Sequence, residues 1–363
     1  MLSSELTPAV TLDGPRGAEW PEAGLDHVGR CPVCGQRATQ PLYRGLSDIV
    51  FSCAPGTWTI HECPACRALY LDPRPTQDTI ALAYRRYYTH VPPTAVDPLA
   101  TPASRGARVA LSVRNSYLNR RYGYHLLPAG RFGYLVAWLW PIGRLRQERV
   151  VRHLPFTGSR PRLLDVGCGS GPFLARMKGL GWLVQGIDPD AAAVAAARLA
   201  RLPVEQGTLG DGTFADDTFD AVTLDHVIEH VPDPVQTLRE CFRVLRPGGT
   251  IWVATPNTSS LGHRAFRDAW RGLEPPRHLV VFNPGALRRA LSAAGFTGIS
   301  RPKISFLAKW MFQSSATIAE GRDPYNDPVP LSRRHRWAAR AAGLLTLLRP
   351  AFGEEVILLA RKP

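Results

Sequence analysis

The stretch Leu163-Leu164-Asp165-Val166-Gly167-Cys168-Gly169-Ser170-Gly171 decides the reading of this chain. An apolar run over 162–166 predicts a buried strand, three glycines at alternate positions predict a tight turn, and a helical pattern follows over 172–180. Such a turn lets the backbone pass close to a ligand and aims the next helix's N-terminus at it. The following strand, 182–187, runs into Gly186-Ile187-Asp188-Pro189. In a doubly wound sheet its end lies beside the end of the first strand, across the ligand crevice. Asp188 comes 21 residues after Gly167, near the roughly 20 typical of a carboxylate that accepts hydrogen bonds from ribose hydroxyls.

The same alternation continues outward. Asp190 can cap a helix over 191–201, strands are expected at 203–207 and 219–224, and Asp233-Pro234 opens another helix. A strand at 250–254 follows Pro247-Gly248-Gly249, Asn283-Pro284 opens a helix that Gly295 closes, and 355–361 reads as a last strand. Strands alternating with helices predict an α/β fold with a parallel sheet covered on both faces.

The glycine pattern, D-x-G-x-G-x-G, is tighter than the G-x-G-x-x-G of dinucleotide sites, and the turn holds no cation. Together with Gly186-Ile187-Asp188, Phe219-Asp220-Ala221-Val222, the run His226-Val227-Ile228-Glu229-His230-Val231-Pro232-Asp233-Pro234, Leu245-Arg246-Pro247-Gly248-Gly249, Thr255-Pro256-Asn257 and Ala294-Gly295-Phe296, it resembles the class I S-adenosylmethionine-dependent methyltransferases over about 160–308. The resemblance implies a Rossmann-like, doubly wound, seven-stranded sheet, mostly parallel with its last strand antiparallel, and S-adenosyl-L-methionine as cofactor. It implies that Asp165, Gly167 and Gly169 hold the methionine end, with Cys168 and Gly171 in the same turn. Asp188, with Pro189 beside it, is expected at the ribose, Thr208 and Leu209 at the adenine, and Asp225 and His226 under the sulfonium. Many relatives carry Asp where Thr208 stands, and Asp211 is the candidate substitute.

Methyl transfer from a sulfonium needs an aligned acceptor and, for a hydroxyl or carbon acid, a base. The candidates are His226, Glu229 and His230 after the fourth strand, and His278 in Glu274-Pro275-Pro276-Arg277-His278. Similar Glu-His pairs occur in quinone O-methyltransferases and in zinc-containing sugar C-methyltransferases. Glu229 can instead belong to a turn that starts a helix, and His278 can anchor its loop through Asn283 or Glu274.

Seven cysteines are present, four of them in two C-P-x-C knuckles, Cys31/Cys34 and Cys63/Cys66. Two thiolates from each of two tight turns are what a closed, structural tetrahedral Zn2+ site requires; a redox dithiol is the alternative. His61 is the reserve ligand, while Cys53, Cys168 and Cys241 are expected to be bystanders. Short strands are expected around the knuckles at 48–52, 57–61 and 68–71, making a small zinc-ribbon-like module over 27–75.

The formal charge of +14 is concentrated. Residues 85–162 hold fourteen Arg against Asp97 and Glu148, a net +12 that leaves only +2 for the rest. The expected organisation is a loose leader (1–26), the zinc module (27–75), and a helical Arg-rich insert or lid (76–158) that includes a helix at 75–90 and a Pro-rich linker at 91–104. The catalytic core (159–308) and a C-terminal amphipathic helix with a closing strand (309–363) complete it. On the helix at 331–348, Trp337, Ala341, Leu344, Leu345 and Leu348 share an apolar face, suited to packing on the core or to a membrane surface. No apolar run reaches the 18 to 20 residues of a membrane span, and the N-terminal stretch lacks a signal pattern. A cytoplasmic protein, able to sit peripherally at the inner membrane surface, is expected. The expected partner is a small-molecule acceptor, sugar, lipid-linked or quinone-like, methylated on oxygen or carbon. The alternatives are an RNA base methyltransferase, for which the interleaved Arg and aromatic residues would serve nucleic acid, and a non-catalytic cofactor-binding scaffold. Oligomeric state is not legible.

Overall fold

The computed structural model describes residues 19–37, 39–85, 104–210, 212–302 and 307–363. Most of the expected leader, the Pro-rich stretch, the end of the expected helix at 75–90, and Asp211 lie outside the described residues.

The first unit is a small antiparallel array. Strand β1 (Leu25–Asp26) pairs with β5 (Arg74–Pro75), while β2 (Gln40–Leu46), β3 (Trp58–Glu62) and β4 (Leu69–Leu71) form consecutive neighbours. Trp20 is buried edge-on against Trp58 with ring centroids 5.2 Å apart, so packing begins within the stretch read as a loose leader. The strand expected at 48–52 is a turn. The Asp48 carboxylate accepts the backbone N–H groups of Phe51, Cys53 and Ala54, which replaces a ladder with a local cap. The true strand, β2, is a largely exposed edge with Pro41 in it, so it carries no alternation to read. Of the helix expected at 75–90, the described part is a 3-10 turn, Ile80–Tyr84.

The Arg-rich segment folds as α1 (Arg105–Tyr122), α2 (Gly133–Trp138) and α3 (Pro141–Val150). Ser104 caps α1 by accepting from Ala107 N–H, and Gly123 in a left-handed conformation ends it. Tyr117, Leu118, Tyr122 and Tyr124 are buried with Trp182 and Leu163 in a core under one face of the main sheet.

The main sheet follows the predicted order. Its strands are β6 (Arg162–Val166), β7 (Leu183–Asp188), β8 (Val204–Gln206), β9 (Phe219–Asp225), β10 (Leu245–Pro256), β12 (Thr297–Ser300) and β13 (Glu355–Arg361). They lie in the order β12-β13-β10-β9-β6-β7-β8, with β13 antiparallel to both neighbours and the others parallel. Helices α4 (Pro172–Gly179), α5 (Ala191–Leu199), α6 (Pro234–Val244) and α8 (Pro284–Ala293) are the crossovers. Asp190, Asp233 and Asn283 each accept backbone N–H bonds at a helix start, as the sequence predicted. The direction of winding reverses between β6 and β9, and the crevice outside their C-terminal ends is where such sheets bind ligands.

Strand β11 (Val280–Val281), which follows α7 (Leu261–Phe266), leaves the main sheet and pairs with β4, becoming the fourth strand of the Cys-bearing sheet. Arg277, fully buried just before it, donates from Nη1 to Asp48 Oδ2 at 3.0 Å and to the Ala83 carbonyl at 2.9 Å, and from Nε to Glu274 Oε1 at 2.8 Å. The small module and the main sheet therefore share one apolar core.

Helices α9 (Ala308–Ala319) and α10 (Arg333–Leu348) complete the chain before β13. The buried face of α10 is Ala339, Ala342 and Thr346, not the expected face: Trp337, Leu344 and Leu348 stand exposed. Small side chains let α10 approach its neighbours closely, which the bulkier stripe could not. Among the described residues no helix is long and apolar enough to cross a membrane.

Removing one member of a buried ion pair leaves its partner charged and unsatisfied, at a cost of about 3–5 kcal/mol. Arg277→Ala is expected to destabilise the fold by that order, read as a lower urea midpoint. An unchanged midpoint would refute the role given to this side chain.

Candidate active site

The glycine turn stands at the end of β6. Gly167, Gly169 and Gly171 all have positive φ. A Cβ on Gly167 would lie 2.4 Å from Val227 Cγ2, whereas one on Gly169 would meet nothing within 4 Å. Gly169 thus faces open space in a backbone conformation that disfavours side chains, the condition for a ligand to run close over the turn. Cys168 and Gly171 are buried within the turn. Asp188 ends β7 beside it; its Oδ2 accepts from Gly169 N–H at 2.7 Å and its Oδ1 from Asp190 N–H at 3.0 Å, while burial raises its pKa. Pro189 follows it exposed, and Thr208 (exposed) and Leu209 (half-buried) follow β8, at the same edge of the sheet.

Across the switch point, Asp165 and Thr223 are register partners on β6 and β9, and Thr223 Oγ1 donates to Asp165 Oδ1 at 2.6 Å. Arg152, just past α3, enters this crevice. Its Nη1 donates to Asp165 Oδ1 at 2.5 Å and its Nη2 to Asp225 Oδ2 at 2.9 Å, with its guanidinium 3.5 Å over the Phe173 ring. Arg149 pairs with Glu355 at 2.8 Å and approaches Asp225. Burial alone would raise the Asp225 pKa, but Arg152 and Arg149 bring it below the usual value; for Asp165 and Glu355 burial prevails and the shift is upward. Asp225 Oδ1 is buried without a hydrogen-bond partner. An unsatisfied buried acceptor next to an open glycine turn suits a cationic ligand, and S-adenosylmethionine carries both a sulfonium and an ammonium. Asp165 is engaged through Oδ1 by both Arg152 and Thr223.

The segment after β9 turns sharply, with His226 at φ 56°. Its Nδ1 lies 3.2 Å from Glu229 Oε1, and Thr255 Oγ1 donates to Glu229 Oε2 at 2.9 Å. Burial would lower the His226 pKa, but Glu229, Asp225 and Glu355 outweigh it and raise it to about 9. The raised value favours the protonated, cationic form of His226 at neutral pH. Glu229 is fully buried; burial would raise its pKa, and the hydrogen bond and charge of His226 hold it below the usual value. Its backbone carbonyl accepts from Leu279 and Val280 N–H, tying this turn to β11.

His230 and His278 meet edge to face with ring centroids 4.7 Å apart. His230 Nδ1 lies 3.0 Å from the Arg277 carbonyl and 2.9 Å from Tyr84 Oη, and His278 Nδ1 lies 2.8 Å from the Gly272 carbonyl. A carbonyl only accepts, so each Nδ1 donates and each Nε2 keeps a lone pair. Burial, the dominant influence, lowers the His278 pKa to about 4, so it is neutral. Ligand atoms of Glu229, His230 and His278 lie within 4.8 Å of one another. Both Glu229 oxygens are already committed to His226 and Thr255, which favours proton handling over metal binding. Of the sequence candidates, Glu229, His230 and His278 are brought together, with His226 on the cofactor side. Arg149, Arg152, Glu355 and Thr223 were not anticipated: the two arginines sit in a run of arginines with nothing local to single them out, and Glu355 opens a strand 190 positions from Asp165 in sequence.

The four knuckle cysteines converge. Cys31 Sγ lies 3.5 Å from Cys66 Sγ, Cys34 Sγ lies 3.5 Å from Cys63 Sγ, and all four lie within 4.8 Å. A tetrahedral metal with bonds of about 2.3 Å separates its sulfurs by roughly 3.8 Å, so the set fits. Each knuckle is closed by the same bond, Gly35 N–H to Cys31 O and Arg67 N–H to Cys63 O. His61 is outside the cluster, stacked on Tyr70.

The raised His226 pKa carries a sign. A histidine with a folded pKa near 9 and an unfolded one near 6.5 contributes stability that is full below about pH 6.5 and lost as pH rises through about 9. The urea midpoint of the native protein should therefore fall across that window, and His226→Asn should flatten this fall. Equal slopes for the two proteins would contradict the assignment.

A family profile described as a methyltransferase domain matches residues 142–301. A probable S-adenosylmethionine-dependent methyltransferase from Mycolicibacterium smegmatis is 37% identical over 155 residues, 42% of this chain and 58% of that protein. A ubiquinone biosynthesis O-methyltransferase from Pseudomonas fluorescens is 39% identical over 126 residues, 33% of this chain and 53% of that protein. The chain thus spans little more than half the length of these curated relatives. Among solved structures, a SAM-dependent methyltransferase from Archaeoglobus fulgidus aligns over 60% of this chain and 94% of its own, at 21% identity and a TM-score of 0.41. Residues 142–301 thus match a methyltransferase domain, and they carry the glycine turn and the parallel strands of the doubly wound sheet described above.

Proposed function

We propose that the chain transfers a methyl group from S-adenosylmethionine to a hydroxyl or carbon acid of a small-molecule acceptor, of the sugar, lipid-linked or quinone-like kind, and that its four knuckle cysteines hold a structural zinc. The observation that carries the reading is the His230–His278 pair. Two imidazoles have their Nδ1 atoms tied to carbonyls and their lone-pair nitrogens left over, one on the turn after β9 and one in the loop before β11. The O-methyltransferase relatives named for ubiquinone biosynthesis support a phenolic acceptor, over about a third of the chain.

The cofactor, when bound, supplies a methyl group on a sulfonium whose thioether leaves without acid assistance. The remaining work falls to the chain. Each oxygen of Asp188 already accepts one backbone N–H and has a second lone pair for a ribose hydroxyl. Asp225 Oδ1 offers an acceptor to a cationic group, and Asp165 holds Arg152 in place behind the turn. His230 Nε2 takes the acceptor's proton. The imidazolium so formed lies near the buried carboxylates of Glu229 and Glu274, both held below the usual carboxylate pKa in spite of burial. Tyr84 Oη and the Arg277 carbonyl fix the ring, so the lone pair is aimed before the acceptor arrives. His278 blocks the far side of His230 and gives the acceptor a neutral wall. Four thiolates would leave a zinc no open position, so its role is to hold the two knuckles and, through Asn283 Nδ2 on the Cys66 carbonyl, the start of α8.

The test pairs two variants with labelled cofactor offered to fractionated cell extract. His230→Ala should lower methyl transfer by about 10²–10⁴-fold with cofactor affinity by calorimetry unchanged. Asp188→Ala should abolish cofactor binding. Label that follows RNA would overturn the acceptor class, and full activity of the His230 variant would overturn the base.

Elemental analysis of freshly purified protein should return one zinc per chain. Zinc-free, fully folded protein would remove the closed-site reading.

A further inference from the structure

We propose that the segment from Leu127 to Ile142, between α1 and α3, docks on the surface of an anionic lipid bilayer. Leu127, Phe132, Leu135, Leu139, Trp140 and Ile142 all stand exposed, with Leu127 and Leu139 more than four-fifths so. Six large apolar side chains in sixteen residues exceed the scattered exposure normal on a soluble surface. The fold does not need them outside. Contact with α1 is made by the other side of α2, where Ala137 and Gly133 are buried and a Cβ on Gly133 would meet Ser116.

Charge argues for the occupant. Between Ser104 and Val151 there are nine Arg and a single acid, Glu148, which Tyr117 Oη engages. Arg144 lies 3.9 Å over the Trp138 ring, and Arg131 and Arg146 stand exposed on either side of it in the chain. A cation-rich rim around aliphatic and indole side chains matches anionic headgroups above an acyl layer. Nucleic acid fits less well: leucine and isoleucine gain nothing from phosphates or base faces, and Tyr117, Tyr122 and Tyr124 of this segment are buried in the core and cannot stack on bases. The helix α3 links the docked surface to the carboxylate cluster of the main sheet, because it begins beside Trp140 and leads, about 15 Å on, into Arg149 and Arg152. The inference does not depend on which acceptor is methylated.

The test is flotation of the full chain with vesicles of phosphatidylcholine containing about 30% phosphatidylglycerol, beside vesicles of phosphatidylcholine alone. The protein should float with the anionic vesicles and not with the neutral ones, and should dissociate as salt is raised. The double variant Leu139→Ser/Trp140→Ser should reduce binding by about tenfold or more, with an unchanged thermal midpoint and unchanged cofactor affinity showing that it is folded. Failure of the native chain to float, or equal flotation of the variant, overturns the proposal. So does loss of binding only with Trp337→Ser on α10, which would move the contact elsewhere. A dimer in sedimentation velocity that the double variant dissolves, or RNA binding that it abolishes with no vesicle binding, would assign the patch to a second copy or to nucleic acid instead.

Discussion

The buried guanidinium of Arg277 is the constraint on which the rest of the site depends. A charge with no exposure to water must be fully paired, and here the partners come from three places: Asp48 in the cysteine-bearing unit, the carbonyl of Ala83 after it, and Glu274 in its own loop. The same residue's carbonyl receives the His230 Nδ1 proton. Docking of the small unit and orientation of the His230 imidazole are therefore set by one residue, through its side chain and its backbone. Once Arg277 is placed, β11 must run where it can pair with β4, and the cysteine-bearing unit becomes a support for the loop that carries His278 and not an appended module.

The crevice is organised by opposed charges. Asp165, Asp225 and Glu355 gather at the ends of β6, β9 and β13, and Arg149 and Arg152 reach them from a helix outside the sheet. The pKa directions follow from the sharing. Asp225 sees both arginines and is depressed, whereas burial prevails at Asp165 and Glu355. His226 answers the remaining negative charge by holding its proton. The Arg-rich segment is thus two things at once: its end supplies countercharges to the carboxylates of β6, β9 and β13, while α2 and the start of α3 present apolar side chains and cations to the outside. Its +12 with the flanking residues cannot be read as one surface.

Much of the fold was legible because regular structure leaves local marks. The caps Asp190, Asp233 and Asn283, the glycine turn, and the apolar runs of β6, β9 and β13 depend on neighbours within a few positions, so the strand-helix alternation and the pairing of the four cysteines could be read directly. The errors have equally local causes. Asp48 begins a stretch with strand-like composition, yet its carboxylate captures three backbone N–H groups and makes a turn. The apolar stripe of α10 has the period of a packing face, but the neighbouring helix accepts only the small-residue side.

The amino-acid sequence by itself determined the doubly wound sheet, the glycine turn with Asp188 beside it, and the four thiols that converge from the two knuckles. Tertiary structure alone decided the opposite shifts of the two histidines, because His226 gathers Glu229, Asp225 and Glu355 from distant parts of the chain whereas burial prevails at His278. It alone selected Arg149 and Arg152 from fourteen similar residues and left the face of α2 uncovered. Local propensity acts over a few residues, whereas burial and charge pairing act through space, and only the folded chain states which residues share that space.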